Sequence, residues 1–299
     1  LDAGAIVFPQ PASEWAIENA GALIESGCAI VRLRNVVEVP FAGLAVAARD
    51  RYFAQDARDR LRSLIEAHWT RTISNTDFAR WAQTLIARVV GSEQARSSIV
   101  MPPGGATPIG TLGAMSATFE LADQVAAGIA PPPRRIVLPV GSTCTTAGLI
   151  SGFALAHAIG VWRWPVPIVH AVRVTPWPVT SRVMITRLAA FTLARIAQLG
   201  GPRVELGDAR LVIDARELGA GYGRITKRGT QAMSRFAHDS APRLDGVYSA
   251  KAAAALLRLH REGVGPLVFW STKSTTQLAP PSRPAIARAP RALARWFAS

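Results

Sequence analysis

Arg135-Ile136-Val137-Leu138-Pro139-Val140 runs directly into Gly141-Ser142-Thr143-Cys144-Thr145-Thr146, and then into Ala147-Gly148-Leu149-Ile150. The first six residues form a short apolar run rich in β-branched side chains, the pattern of a buried strand. The middle is a polar loop, and a helix is expected over 147–159. A strand that delivers a loop to a helix N-terminus makes a candidate anion cradle. Unpaired backbone N–H groups and the positive end of the helix dipole converge there. Thr145 and Thr146 add hydroxyl donors, and a phosphate fits such a nest without a lysine. The same turn also reads as a polar cap on a buried helix. It is neither a Walker loop, since no Gly-Lys-Ser/Thr follows, nor the dinucleotide Gly-x-Gly-x-x-Gly fingerprint.

Around this stretch, strands and helices alternate. On the C-terminal side, strands are expected at 168–174, 211–213 and 266–270, and helices at 181–198, 230–238 and 250–259. Glycines cluster at Gly219, Gly221 and Gly223. On the N-terminal side, a strand at 5–8 is followed by an N-cap at Ser13, a helix over 14–26, a stop at Gly27 and a second strand at 29–33. Residues 41–97 read as mostly helical, 101–108 as a turn-rich loop and 110–127 as a helix. Gly128 to Pro133 reads as a linker. The class is therefore α/β, with two open, mostly parallel twisted sheets and flanking helices. The expected organisation is a small domain over 1–128, carrying the helical insertion, and a larger domain over 129–299.

Composition narrows the function classes. The 299 residues are 49% hydrophobic and only 18% charged, which excludes general disorder. Two cysteines, Cys28 and Cys144, are too few for a disulfide framework and fit a reducing compartment. The five histidines form no metal-spaced pair, so no metal site is expected. A formal charge of +14 invites a nucleic-acid reading, but only three of the 34 basic residues are lysines. The arginines are scattered at helical spacing, as on solvated faces, and the tail from Arg283 to Arg295 is the best remaining polyanion contact. Nucleic acid is not an expected partner. The uncharged run from Ile136 to Trp162 is long enough to span a bilayer. Its proline, glycine and five consecutive hydroxyl or thiol side chains fit strand, loop and buried helix better, so no membrane segment is expected.

Val140 to Leu149 resembles the phosphate loop of the D-cysteine desulfhydrase and 1-aminocyclopropane-1-carboxylate deaminase family. These are fold type II pyridoxal-phosphate enzymes related to the tryptophan synthase β-subunit. Further stretches match in the same order: Phe8-Pro9-Gln10-Pro11 with Glu18-Asn19, Pro102 to Gly110, Gly221-Tyr222-Gly223 with Gly229-Thr230, Asp245 to Ala252, and Val268 to Thr272. The resemblance implies that Gly141, Ser142, Thr143, Cys144 and Thr145 hold the phosphate of pyridoxal 5'-phosphate. It places Tyr248 against the pyridine ring, Tyr222 on the substrate side, Ser249 at the ring nitrogen and Thr272 along the cofactor face. The deaminase branch has a glutamate where Ser249 stands, so the desulfhydrase-like side is favoured. A small amino-acid substrate, a homodimer and a cytoplasmic setting are also implied.

The chain departs from the family in two ways. Thr143 and Cys144 stand where its loop carries smaller residues. The family's Schiff-base lysine and Ser-Asn loop lie upstream of the strand that opens this chain, and Lys227, Lys251 and Lys273 match neither. The expectation is an N-terminally truncated piece of a lyase or deaminase, with a catalytically dead binding module as the alternative. Lys251 itself is read as structural.

Overall fold

The first strand, β1 (Gly4–Val7), pairs parallel with β2 (Ala29–Arg32) in the register Gly4↔Ala29 to Val7↔Arg32. Helix α1 (Glu14–Glu25) makes the crossover. Ser13 caps it as expected, its hydroxyl accepting from the Ala16 N–H at 3.3 Å. Gly27 closes it at φ +69°, a left-handed conformation that costs glycine little. The computed structural model describes residues 4–7, 10–32, 101, 103–177, 180–238, 241–274, 276 and 278–297. The expected helical stretch 41–97 lies outside these, as do Phe8 and Pro9.

Packing divides the chain into a first unit drawn from residues 1–101 and 277–299 and a second unit of residues 102–276. In the first unit, Ala20 and Ile24 of α1 bury against Ala285 of α7 (Arg283–Arg288) and Leu293 of α8 (Arg291–Ala294). Arg283, Arg288, Arg291 and Arg295 of the basic tail are exposed around that contact. The division does not follow the glycine-proline stretch near 128. Helix α2 (Leu112–Ala126), placed before the expected boundary, packs on α3 (Cys144–Ala158) inside the second unit.

The second unit is built on four parallel strands. They are β3 (Arg135–Val140), β4 (Ile168–Arg173), β5 (Leu211–Asp214) and β6 (Leu267–Phe269), in the order β5-β4-β3-β6. Helix α4 (Arg182–Gln198) connects β4 to β5. Helices α5 (Lys227–His238) and α6 (Ser249–Arg261) connect β5 to β6. The β3 register runs Arg135↔Ile168 to Val140↔Arg173 against β4 and Arg135↔Leu267 to Val137↔Phe269 against β6.

Strand β3 is a continuous apolar run because helices cover both its faces. Ile136, Leu138 and Val140 join the core under α2, α3 and α4. Val137 meets Ala252, Ala255 and Leu259 of α6 on the other face. Helix α3 is apolar all round because it lies between α2 and the sheet. Its Gly148 and Gly152 let α2 approach. A Cβ on Gly152 would lie 2.4 Å from Thr118 Oγ1 and 2.9 Å from the Met115 carbonyl. The uncharged run 136–162 is thus strand, loop and buried helix, and among the described residues no helix is long and apolar enough to cross a membrane.

Candidate cofactor site

The chain leaves β3 toward β4 and β5, then returns to place β6 on the other side of β3. Loops that diverge this way open a crevice outside the carboxyl ends of the two strands where the order reverses, and open α/β sheets bind ligands there. The loop that follows β3 is Gly141 to Thr143.

Its geometry suits an anion. Thr143, the N-cap of α3, sits at φ +75° and ψ −17° and supplies no side-chain cap bond, and the first turn has no acidic residue. Left-handed backbone at a β-branched residue costs roughly 1–2 kcal/mol. This is the position where the resembled loop has a smaller residue. Gly141, Ser142 and Thr145 are half-buried, while Thr143, Cys144 and Thr146 are buried. Among the described residues the buried Thr146 hydroxyl has no hydrogen-bond partner, a cost unless something else supplies an acceptor. Cys144 Sγ donates to the Gly105 carbonyl at 3.3 Å. Burial pushes its thiol above the ordinary range, so it stays protonated. Gly104, at φ +63°, comes so near Ser142 that a Cβ there would lie 2.0 Å from Ser142 Oγ. The turn Pro103–Gly105, one of the stretches that resemble the family, therefore rests on the loop after β3.

The two candidate catalytic tyrosines come together. Tyr222 and Tyr248 hydroxyls lie 2.9 Å apart, and their rings meet edge to face at 6.0 Å and 84°. Burial, with Tyr222 beside it, pushes the Tyr248 phenol far above the ordinary tyrosine range. Tyr248 also covers Gly141, where a Cβ would stand 2.9 Å from the ring edge. The tyrosine pair and the loop after β3 thus share one wall.

Lys251 fixes the segment that brings Tyr222 there. Fully buried, its Nζ donates to the Leu218 carbonyl at 2.9 Å and the Gly221 carbonyl at 3.1 Å. Burial lowers its pKa. Gly219, Gly221 and Gly223 turn this segment, all at positive φ. Upstream, buried Asp214 binds His170 Nε2 at 3.0 Å, Arg216 and Arg258. Burial alone would raise the Asp214 pKa; the His170 and Arg216 hydrogen bonds and the Arg258 charge outweigh it and hold the carboxyl well below the usual range.

Ser249 is fully buried at the start of α6, and its hydroxyl is taken up by Asp245. It accepts from the Asp245 N–H at 2.6 Å and donates to Asp245 Oδ2 at 2.6 Å. The Asp245 carboxylate also accepts from the N–H groups of Val247, Tyr248 and Ser249, and so caps the helix. Thr272 follows the carboxyl end of β6 and is exposed. Sequence reasoning missed Asp245, although an aspartate before a helix start is a capping signal. It also missed Thr175 and Thr180 after β4, whose hydroxyls both reach the Gly141 carbonyl at 3.2 Å.

An uncapped helix start, half-buried Gly141, Ser142 and Thr145, and the orphaned Thr146 hydroxyl fit the phosphate of pyridoxal phosphate. Comparison with known proteins gives the same direction. The profile of the family described as "Pyridoxal-phosphate dependent enzyme" matches residues 66–268. A Pyrococcus horikoshii protein named "Putative 1-aminocyclopropane-1-carboxylate deaminase" is 30% identical over 176 residues, covering 57% of this chain and 46% of that protein. A Nocardia uniformis subsp. tsuyamanensis protein named "Nocardicin C-9' epimerase" is 32% identical over 188 residues, covering 60% of this chain and 50% of its own. The chain spans about half the length of these curated relatives. The crystal structure of an ACC deaminase homologue shares the fold, with a TM-score of 0.53 at 21% identity over 93% of this chain and 76% of that one.

Proposed function

The chain belongs to the pyridoxal-phosphate dependent enzyme family, and we propose that the whole protein is a lyase or deaminase acting on a small amino acid. The observation that carries this reading is the uncapped loop after β3, with the Tyr222–Tyr248 pair against its first residue. When bound, pyridoxal phosphate supplies an electron sink for the charge that builds at the amino acid's Cα. The chain's own residues do the rest. The N–H groups of Ser142 to Thr145, with the Thr145 and Thr146 hydroxyls, hold the phosphate against the helix dipole. Tyr248 keeps its phenolic proton in the ordinary pH range, and its hydrogen bond to Tyr222 holds the two hydroxyls in place beside the loop.

The preference within the family rests on Ser249. Its hydroxyl is occupied by Asp245, so this position adds no carboxylate of its own at the ring end. An uncharged neighbour weakens the electron sink, which suits loss of a β-leaving group, as in D-cysteine desulfuration, better than cyclopropane ring opening. Lys251 is spent on two carbonyls, and neither Lys227 nor Lys273 stands at the family's Schiff-base position. We therefore assign to these 299 residues alone cofactor binding without turnover. The alternative, a module that holds a phosphorylated ligand and does no chemistry, draws on the same lysines. A homodimer in the cytoplasm, as the resemblance implies, completes the proposal.

The test uses the whole protein. It should bind pyridoxal phosphate more tightly than pyridoxal and release sulfide, ammonia and a keto acid from D-cysteine. Tight binding with no turnover of D-cysteine or 1-aminocyclopropane-1-carboxylate selects the module. Exchange of the Cα proton with solvent, without elimination, selects epimerase-like chemistry. Equal affinity for pyridoxal and its phosphate overturns the reading.

A further inference from the structure

The carbonyl of Gly141 points out of the loop toward the end of β4, where two threonine hydroxyls meet it. Thr175 Oγ1 and Thr180 Oγ1 each lie 3.2 Å from that oxygen, and they also hydrogen-bond each other. Three contacts share two hydroxyl hydrogens. Only one hydrogen can serve the Thr175–Thr180 contact, so at least one is always left for the Gly141 carbonyl. Thr180 is fully buried and is held in turn, its own carbonyl accepting from Arg173 Nη2 at 3.0 Å. The β3–β4 register ends at Val140↔Arg173, and the Val174 N–H donates to the Val140 carbonyl at 3.1 Å, which brings these groups level with Gly141.

A trans peptide points its C=O and its N–H in opposite directions. The Gly141 carbonyl and the Ser142 N–H belong to one peptide plane. Fastening the carbonyl toward β4 therefore turns the Ser142 N–H the other way. Building on the reading of this loop as a phosphate cradle, we propose that Thr175 and Thr180 are positioning residues for phosphate recognition. They touch no ligand; they aim the first donor of the cradle. The ligand chemistry they serve is the phosphate group, and the pyridine and amino-acid portions of the bound molecules do not depend on them.

The experiment titrates the whole protein, unmodified and as Thr175→Val, Thr180→Val, Thr175→Val/Thr180→Val and Thr175→Val/Thr180→Ser, with pyridoxal phosphate and with pyridoxal, following ligand absorbance and protein fluorescence. Valine keeps the shape of threonine and removes the hydroxyl. Each single variant still leaves one hydroxyl for the Gly141 carbonyl and should bind pyridoxal phosphate nearly as the unmodified protein does. Thr175→Val/Thr180→Val removes both hydroxyls and should weaken pyridoxal phosphate about tenfold, the scale of one oriented hydrogen bond to an anion, and leave pyridoxal unchanged. Thr175→Val/Thr180→Ser should restore most of the difference. Thr175 is only half-buried, so Thr175→Ala can replace Thr175→Val if the double valine variant does not fold. Equal weakening of both ligands makes the threonines merely structural and overturns the proposal. So does unchanged discrimination in the double valine variant of a protein whose unmodified form discriminates. An unmodified protein that fails to discriminate overturns the cradle itself, and the clamp with it.

Discussion

Gly104 and Gly105 share a left-handed conformation, at φ +63° and +64°, but differ in what surrounds them. A methyl group on Gly104 would stand 2.0 Å from Ser142 Oγ and 2.4 Å from Ser142 Cβ, whereas one on Gly105 would meet nothing within 4 Å. The Ser142 hydroxyl can rotate away, but its Cβ is fixed to the backbone, so the loop after β3 must move. Gly105→Ala should therefore cost only the left-handed strain, roughly 1–2 kcal/mol. Gly104→Ala carries the same strain and adds an overpacking term of about 1–3 kcal/mol. Ser142→Gly removes both clashing atoms. In that background Gly104→Ala should fall back to the cost of Gly105→Ala, which gives a coupling of about 1–3 kcal/mol in a double-mutant cycle. Urea unfolding of the four variants measures the cycle, and titration with pyridoxal phosphate shows whether displacing Ser142 also weakens phosphate binding. Equal costs for Gly104→Ala and Gly105→Ala, or a cost at Gly104 that survives Ser142→Gly, would refute the seating of the Pro103–Gly105 turn on the loop after β3.

Three further outcomes follow from the packing and the charges. The chain has three tyrosines; because burial raises the Tyr248 pKa, an alkaline titration of phenolate absorbance should show one ionising only as the protein unfolds, and Tyr248→Phe should abolish that late step. Its stabilising effect is complete below the ordinary tyrosine value of 10.0 and is lost as pH rises above it. Asp214→Asn should cost about 3 kcal/mol at neutral pH, since it leaves His170 and Arg258 without their shared carboxylate. The depressed Asp214 pKa makes that contribution present above the ordinary value of 3.8 and lost as pH falls below it, so the melting curves of the two proteins should converge in acid. Gly152→Ala should destabilise by about 1–3 kcal/mol because the Met115 carbonyl and Thr118 cannot both retreat. Gly113→Ala, which meets no atom within 4 Å, should instead stabilise α2 by roughly 0.5–1 kcal/mol.

What could be read from sequence divides along the range of the forces involved. Strands β3 to β6 and the helices between them are set by local periodicity and capping, and they appear within a few residues of their expected bounds. One shift is instructive. Helix α3 begins at Cys144 rather than at Ala147, so Thr145 and Thr146 stand in its first turn, next to the unpaired N–H groups they supplement. The resemblance to a known family, rather than spacing, singled out Tyr222 and Tyr248, which lie 26 residues apart and meet in a fold where Lys251 ties down the segment before Tyr222. Thr175 and Thr180 had no signal at all, since a threonine after a strand reads as ordinary loop. Their role depends on the register Val140↔Arg173, which sets the end of β4 beside Gly141. The strand order is likewise a tertiary fact. Had β6 added beside β5 instead of β3, the loop after β3 would open on no crevice, and the same uncapped helix start would be only a polar turn. The chemistry assigned to this chain thus rests on where the sheet reverses, and the loop's residues acquire their meaning from that position.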